Sequence, residues 1–384
     1  MHSAQTSVAE MGEDAVLRVI SRVFADHNAQ AEGGHLVIGP GGDDAAVLTP
    51  APGAQQVLTT DTMSEDQDFR RRWWAPRGDD HAAEHRWVAR PDSTEAEHRW
   101  AADIGAKAAG QNLSDISAMG AEPTALLVSL TLPAETPVGW VEQFCAGIVR
   151  ACRAPGAQRC VVAGGDLGSG ELISVSITAV GELAAGAAPL RRSGARAGDV
   201  LAVCGTLGRA AAGLALLEAG AAAGESAAGE EHRSCIRAQL APEPPLRAGP
   251  EASAAGASAA MDISDGLLRD GHRLAQASGV RLLLDGERLR SEAQRLEPVA
   301  ASLGLPAHTA FDWVLSGGED YGLLAAFPAE AVLPEGFRAI GRVSSPEAAA
   351  GEPGVSVIGA DGSGEVSSGE GRGGWDSLRG GSPV

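Results

Sequence analysis

Short aspartate motifs recur along this chain of 384 residues, each in a turn or near the end of a predicted element. They are Gly42-Asp43-Asp44, Thr59-Thr60-Asp61, Asn112-Leu113-Ser114-Asp115, Gly164-Gly165-Asp166 and Asp262-Ile263-Ser264-Asp265-Gly266. A fold that gathers these carboxylates needs cations between them, because two carboxylates about 4 Å apart repel by roughly 4 kcal/mol at an effective dielectric near 20. The motifs therefore indicate magnesium and phosphate chemistry.

The most specific motif is the one that ends at Gly266. It places Asp262, Ser264 and Asp265 where a predicted strand, 261–264, runs into a predicted helix, 266–278. Ser264 or Asp265 could cap that helix, which would leave Asp262 unexplained. Because a helix N-terminus also attracts anions, the junction favours phosphates bridged to carboxylates by a metal ion.

The remaining motifs are weaker when each is taken alone. Asp43 and Asp44 follow a glycine turn that could present both side chains from one loop, but an ordinary Asp-rich hairpin turn would have the same sequence. The hydroxyl of Thr60 and the carboxylate of Asp61 suit the oxygen preference of a hard cation. Asp115 lies late in a predicted helix, 97–119, where a solvated helix face is the competing interpretation.

Glycine turns accompany several other polar residues. Gly165 and Asp166 follow an apolar strand, and the C-terminal ends of strands are where α/β proteins build sites. Another glycine turn carries Glu319 into a strand. Arg192 could bind phosphate bidentately, through two of its guanidinium nitrogens, although surface arginines are common.

Composition excludes several classes of protein. The formal charge of −20 and pI near 4.8 disfavour nucleic acid and anionic membranes as partners. Lys107 is the only lysine and is not in a Gly-Lys-Ser/Thr sequence, so a Walker-type phosphate loop is excluded, and the dinucleotide fingerprint GxGxxG before a helix is missing.

Five cysteines without a CxxC pair predict buried thiols. Without a signal pattern or a long apolar run, we expect a cytoplasmic location.

One competing motif indicates zinc. The sequence His81-Ala82-Ala83-Glu84-His85 matches the H-x-x-E-H pattern of inverted zinc peptidases. It lies in a near-duplicated segment in which Ala-Glu-His-Arg-Trp occurs twice, which predicts an inserted surface loop over 70–97. We therefore give the zinc interpretation little weight.

Strand and helix patterns alternate along the chain and predict an α/β (α+β) protein of two domains. The first domain is expected over 1–186 with the insertion at 70–97, the second over 187–345, and a Gly/Ser-rich tail over 346–384. Two Ala/Gly-rich segments, 219–230 and 248–260, are expected to be poorly ordered surface.

Taken in order, the motifs resemble those of the thiamine-monophosphate kinase family, whose superfamily includes aminoimidazole ribonucleotide synthetase and selenophosphate synthetase. The resemblance covers most of 12–342. It rests on Gly42-Asp43-Asp44-Ala45, on Asn112-Leu113-Ser114-Asp115-Ile116-Ser117-Ala118-Met119-Gly120-Ala121, on Arg192-Ser193-Gly194-Ala195 and on Leu315-Ser316-Gly317-Gly318-Glu319-Asp320-Tyr321.

The resemblance implies ATP-dependent phosphorylation of thiamine monophosphate to thiamine diphosphate, with Mg²⁺, on a homodimer whose N-terminal sheets pair across the interface. It implies a magnesium cage made of Asp44, Thr59, Thr60, Asp61, Asp115, Asp166, Asp262 and Asp265, of which Asp115 and Asp262 are the expected catalytic residues. It also implies nucleotide contacts from Gly165, Asp166, Arg192 and Ser264, and substrate contacts from Glu319 and Trp375.

One departure from the family pattern lies on the expected substrate side. Where the family usually has a His-Phe pair, this chain has Asp68-Phe69, which turns a neutral or cationic substrate contact into an anionic one. Two alternatives therefore stay open. One is a different phosphate or amide acceptor within the superfamily, and the other is a nucleotide-binding protein that has lost turnover.

Overall fold

A computed structural model describes residues 6–40, 43–74, 99–221, 229–346, 352–359 and 366–367, and the statements below concern these ranges. The helices are Val8–Met11 (α1), Glu13–Asn28 (α2), Arg99–Ala118 (α3), Val138–Cys152 (α4), Arg209–Glu218 (α5), Glu230–Leu240 (α6), Ala248–Ala254 (α7), Leu267–Ser278 (α8), Gly286–Ala293 (α9), Glu297–Ser302 (α10) and Thr309–Ser316 (α11).

The strands alternate with these helices along much of the chain. They are Leu36–Ile38 (β1), Val47–Leu48 (β2), Gln55–Ser64 (β3), Glu122–Leu132 (β4), Val161–Ser169 (β5), Ser174–Leu183 (β6), Val200–Cys204 (β7), Ala259–Ile263 (β8), Arg281–Asp285 (β9), Gly322–Phe327 (β10), Arg338–Ser344 (β11), Gly354–Ile358 (β12) and Val366–Ser367 (β13). The predicted mixed α/β class is confirmed. No helix in the described ranges is both long and apolar enough to cross a membrane.

The described chain divides into two compact units. The first holds 6–116 and 122–186, and the second holds 117–121, 187–221 and the described residues from 229 onward. A small β1-β2 hairpin accompanies the main sheet of the first unit. Each unit has its own sheet.

The first unit is built on a four-stranded sheet in the order β3-β6-β4-β5. The β4 and β5 strands are parallel, whereas β3 and β4 each pair with β6 antiparallel. Helices α3 and α4 cross at two glycines: a Cβ on Gly105 would lie 2.1 Å from the Phe144 carbonyl oxygen, and one on Gly147 would lie 2.0 Å from that of Ala102. This close crossing fixes α3 against α4.

The second unit is built on a seven-stranded sheet in the order β13-β12-β9-β11-β7-β10-β8. One part of its core is formed by apolar side chains of β7, β8, β10 and α7, among them Ala202, Ala252, Ala260, Leu323 and Phe327. The parallel pair β9-β12 is the exception to the antiparallel pairing of this sheet. Helix α8 ends at Gly279, which adopts the left-handed conformation with φ 67°, as the sequence predicted.

Two sequence predictions about local structure were wrong. Gly164, Gly165 and Asp166 do not form a turn after a strand, because β5 continues through them to Ser169. The segment 248–260 is not poorly ordered surface, since it forms α7 and the start of β8. Close packing explains the small residue at Gly249, where a Cβ would lie 1.6 Å from the Ser117 carbonyl oxygen.

Candidate active site

A threonine and an aspartate meet in the first unit. The Thr59 hydroxyl on β3 donates a hydrogen bond of 2.7 Å to Asp115 Oδ2 on α3. Residue 115 is the partly exposed position in a stretch of α3 that is otherwise buried from Ile104 to Ala118, so its carboxylate has access to solvent. The competing interpretation of a fully solvated helix face is therefore wrong.

The side-chain amide of Asn112, one turn before Asp115 on α3, connects the helix to Asp61 on β3. Asn112 Oδ1 accepts the Asp61 backbone N–H at 3.0 Å, and Asn112 Nδ2 donates to the Ala108 carbonyl at 2.9 Å. Asn112 and Asp115 are three residues apart, which places them on one face of α3. The buried Asn112 thus fixes the register of Asp61 against the helix.

Strand alternation divides the predicted metal ligands of the first unit into two sets. Thr59 and Asp61 face α3, whereas Thr60 faces the other side, where it accepts a hydrogen bond of 3.2 Å from Thr178. Asp166 is exposed on β5 opposite Ser129. Three strand spacings separate β5 from β3, or roughly 14 Å.

Asp44 and Gly165, two further predicted site residues of the first unit, contact neighbouring parts of the chain. Asp44 is exposed, and its backbone N–H donates to the Asp43 carboxylate at 2.9 Å. A Cβ on Gly165 would lie 1.9 Å from the Val128 carbonyl oxygen, so the close approach of β4 is by itself enough to require glycine there. The nucleotide contact at Gly165 stays a prediction.

The strand-to-helix junction in the second unit is organised by an aspartate that the sequence analysis did not include. Strand β8 ends at Ile263 and α8 begins at Leu267, with Gly266 as the N-cap and no side-chain cap. The buried Asp270 carboxylate instead reaches back and accepts the N–H groups of Asp265 at 2.8 Å and Gly266 at 3.1 Å. The suggestion that Ser264 or Asp265 caps the helix is therefore wrong.

Charge at this junction is balanced by arginine. Arg273 Nη1 lies 2.7 Å from Asp265 Oδ2 and 2.8 Å from Asp270 Oδ1, and Arg269 Nε lies 3.7 Å from Asp265. Burial raises the pKa of Asp270 to about 6, while its hydrogen bond from the Asp265 N–H acts in the opposite direction. Asp262 is buried on β8, in register with Leu323 of β10.

The glycine turn that carries Glu319 lies against this junction. Glu319 N–H donates to the Ser264 carbonyl at 2.8 Å, and Tyr321 N–H donates to the Ile263 carbonyl at 3.0 Å. Glu319 and Tyr321 have φ values of 65° and 50°, a left-handed conformation that is uncommon for residues other than glycine. Strain of this kind persists where the surrounding structure holds it, and it clusters at functional sites.

The neighbouring Asp320 has a structural role. Its carboxylate is buried and accepts hydrogen bonds from the Thr206 hydroxyl at 2.7 Å and from the N–H groups of Gly208 at 2.6 Å and Ala210 at 3.3 Å. It therefore serves the start of α5 as a capping group supplied from another part of the chain. Burial raises the pKa of Asp320 to about 6, against the opposing effect of these hydrogen bonds.

The remaining predicted residues are dispersed. Arg192 is exposed, and its carbonyl accepts a hydrogen bond from the Ser278 hydroxyl at 2.8 Å. Asp68 Oδ2 accepts the Ser64 N–H at 2.7 Å, so its carboxylate closes the turn after β3. Trp375 and the zinc motif His81, Glu84 and His85 lie outside the described residues.

Residues 42–183 match the family described as AIR synthase related protein, N-terminal domain. A thiamine-monophosphate kinase of Mycobacterium tuberculosis is 38% identical to this chain over 342 residues, which is 89% of each protein. The chain belongs to the thiamine-monophosphate kinase family.

Solved structures of thiamine-monophosphate kinases share the fold. The crystal structure from Stenotrophomonas maltophilia K279a superposes with a TM-score of 0.67 at 28% identity and covers 90% of this chain and 96% of its own. AaThiL complexed with AMPPCP and TMP superposes with a TM-score of 0.65 at 30% identity and covers 95% of this chain and 97% of its own. The predicted fold of the superfamily is thereby confirmed.

For a thiamine-monophosphate kinase, the donor set of the first unit fits a hard cation. Asp61 and Asp115 supply carboxylates and Thr59 a hydroxyl, all oxygen ligands, and magnesium usually binds through one or two carboxylates together with substrate phosphates. Within the described ranges, no group of three or more His, Cys, Asp and Glu side chains is arranged to hold a metal ion. The part of each residue in a magnesium cage stays a prediction.

The sequence analysis missed several side chains that organise these sites, and only some of them left a signal. Asp270 and Arg269 each follow Asp265 within five residues on the helix, and Arg273 lies one turn beyond Arg269, a spacing that could have been noticed. Gln239 left none: its helix, α6, was not predicted, and its contact with Glu319 spans 80 residues of sequence.

Proposed function

We propose that this chain transfers the γ-phosphate of ATP to thiamine monophosphate and forms thiamine diphosphate and ADP. The observation that carries the proposal is the likeness to AaThiL, a structure complexed with AMPPCP and TMP, over 95% of this chain. AMPPCP is an ATP analogue, and we take TMP to be thiamine monophosphate. The family membership and the Asp-bearing motifs of both units support the same reaction.

In the proposed mechanism, an oxygen of the acceptor phosphate attacks the γ-phosphorus in line. A bond forms between that oxygen and the γ-phosphorus, the bond to the β,γ-bridging oxygen breaks, and ADP leaves. The acceptor oxygen is already anionic at neutral pH, so no general base is required, and positioning and charge neutralisation account for catalysis.

The chain's own residues contribute positioned oxygen ligands. The hydrogen bonds from Thr59 to Asp115 and from Asp61 N–H to Asn112 hold two carboxylates of the first unit in place. In the second unit, Asp270 holds the backbone that carries Asp265. We propose that Asp44, Thr59, Thr60, Asp61, Asp115, Asp166, Asp262 and Asp265 hold magnesium, which when bound neutralises triphosphate charge.

The proposal extends to nucleotide and acceptor contacts. Gly165, Asp166, Arg192 and Ser264 are proposed to contact ATP, and Glu319, Asp68 and Trp375 the acceptor. Because thiamine carries a cationic ring, a carboxylate at Glu319 is suited to it. Asp68 already binds the Ser64 N–H, so its replacement of the usual histidine supports the turn after β3 as well.

We also propose that the enzyme is a cytoplasmic homodimer formed through the first unit. The face of its sheet that carries Thr60 also carries Leu58, which is 65% exposed, and Leu127, which is 40% exposed. Large exposed apolar side chains on a sheet face are typical of an interaction surface. The sheet pairing implied by the family resemblance would cover them.

The decisive experiment measures ADP release from ATP and Mg²⁺, with and without thiamine monophosphate, and identifies the product by chromatography. Thiamine diphosphate formed in step with ADP is the expected result. ADP release that responds only to another phosphate or amide acceptor would move the function elsewhere in the superfamily. ATP binding without turnover on any acceptor would identify a binding protein.

A matched pair of variants ties turnover to the proposed site. Asp262→Asn should lower kcat by about 100-fold or more, because it removes a charge that we place at the triphosphate. Asp285→Asn is the control: Asp285 ends a strand of the same sheet and caps α9 through the N–H groups of Glu287 and Arg288, a role that Asn also fills. Full activity in Asp262→Asn would contradict the mechanism.

A further inference from the structure

A buried glutamine contacts the carboxylate of Glu319 in the second unit. Gln239 Nε2 on α6 donates a hydrogen bond of 2.5 Å to Glu319 Oε2. The Gln239 residue is only 2% exposed, whereas Glu319 is partly exposed. A buried amide needs a hydrogen-bonding partner, because burying it without one costs free energy, and Glu319 is such a partner.

The position of Gln239 is fixed by tight helix packing. A Cβ on Gly213 of α5 would lie 2.0 Å from the Cys235 carbonyl oxygen and 3.1 Å from Gln239 Cβ, so α5 and α6 touch along this stretch. The start of α5 is in turn held by Asp320, the residue next to Glu319. Two adjacent acidic residues are therefore bound to two helices that pack on each other.

The backbone of Glu319 is fixed as well. Its φ of 65° is left-handed, and its N–H donates to the Ser264 carbonyl at 2.8 Å. With the backbone set by that bond and the side chain set by Gln239, the carboxylate has a defined direction. An amide donor also orients a carboxylate without adding a positive charge of its own.

We propose that Gln239 is a positioning residue for acceptor recognition, which orients the Glu319 carboxylate toward the cationic ring of the acceptor. This inference rests on the proposed function, in which Glu319 contacts thiamine monophosphate. Gln239 itself touches no substrate in this scheme. Its effect should therefore appear in acceptor affinity and not in nucleotide affinity, and it should require the carboxylate of Glu319.

Calorimetric titration tests this directly, because it needs no turnover. Thiamine monophosphate is titrated into the full chain with AMPPCP and Mg²⁺ present. Gln239→Met, which keeps the side-chain length and removes the donor, should raise the Kd for thiamine monophosphate by up to about tenfold, because the Glu319 side chain must then be ordered when the acceptor binds. The Kd for AMPPCP should change by less than about twofold. An unchanged Kd for thiamine monophosphate would overturn the inference.

Two controls separate positioning from a general structural effect. Gln276→Met makes the same change on α8, where Gln276 is exposed and donates to the Pro353 carbonyl, and it should leave both Kd values unaltered. In a Glu319→Gln background, adding Gln239→Met should change the Kd for thiamine monophosphate by less than about twofold. An effect of equal size in both backgrounds would show that Gln239 does not act through Glu319.

The outcomes also distinguish the two proposals. A wild-type chain that binds no thiamine monophosphate would overturn both the proposed function and this inference. A wild-type chain that binds and phosphorylates it, with Gln239→Met unchanged in affinity, would overturn the inference alone. Should Gln239→Met fail to fold, Gln239→Asn replaces it: the shorter amide stays polar but falls short of Glu319, and the same loss of affinity is expected.

Discussion

Thr59 and Asp115 are joined by a hydrogen bond of 2.7 Å that links the edge strand β3 to helix α3. The bond directs one oxygen of Asp115 toward the strand and fixes the rotation of the carboxylate. A ligand carboxylate that is held before its cation arrives loses less entropy on binding. This pair therefore gives the first unit a prepared oxygen site at the edge of its sheet.

Replacing Asp115 with Asn should lower kcat by about 100-fold or more with little change in Tm, because Asn keeps an acceptor for Thr59 but lacks the charge. Steady-state ADP release and thermal denaturation measure the two effects. Asp103→Asn on the same helix is the control: Asp103 binds Trp74 Nε1 at 3.0 Å and Arg150, away from Thr59. Near-normal turnover in Asp115→Asn would remove Asp115 from the proposed machinery.

Two adjacent glycines in β5 should differ in how much stability is lost when each is replaced by alanine. Gly165→Ala should lower stability by about 1–3 kcal/mol, because the new Cβ would lie 1.9 Å from the Val128 carbonyl oxygen. Gly164→Ala should be close to neutral, since its Cβ would meet only Leu127 Cδ2 at 3.6 Å. Thermal denaturation of both variants decides, and equal Tm values would show that β4 and β5 do not approach so closely.

Asp320 should make stability depend on pH. Its pKa is raised from 3.8 to about 6, so the folded state binds this proton more tightly than the unfolded state. Its stabilising contribution is complete below about pH 4 and is lost as the pH rises through about 6. The Tm of wild type minus that of Asp320→Asn should therefore fall between pH 4 and 7 and then level off. A difference that rises over this interval would contradict the burial argument.

The exposed leucines of the first unit should matter for assembly. The double variant Leu58→Lys with Leu127→Lys should convert the proposed dimer into a monomer, because it places charge on the face that would be covered. Leu172→Lys, at a residue 41% exposed between β5 and β6, is the control. Light scattering after size exclusion gives the mass, and a wild-type chain that is monomeric throughout would disprove the dimer.

Much of the local structure could be predicted from the sequence. The left-handed end of α8 follows from Gly279, because glycine lacks the Cβ that opposes this conformation. The shared face of Asn112 and Asp115 follows from helical spacing. The separation of Thr60 from Thr59 and Asp61 also follows from strand alternation, which places neighbouring residues on opposite faces of the sheet.

Some small residues are required by packing with chain segments that are distant in sequence. The Ala-rich segment that forms α7 looks like a surface linker by composition, but Gly249 contacts the Ser117 carbonyl so closely that no side chain fits. Gly165 in β5 is likewise a glycine because the neighbouring strand leaves no room for a side chain. Composition shows that a residue is small, whereas only the neighbouring chain shows what fills the space.

The sequence by itself determined which residue types are available for chemistry, the order of the motifs, and the strand and the helix that carry Thr59 and Asp115. The tertiary structure decided the contacts across long separations, such as Thr59 with Asp115 over 56 residues and Gln239 with Glu319 over 80. The physical reason is the distance along the chain over which each effect acts. Backbone preferences and periodicity act within a few residues, whereas the choice of partner depends on the packing of whole helices and strands.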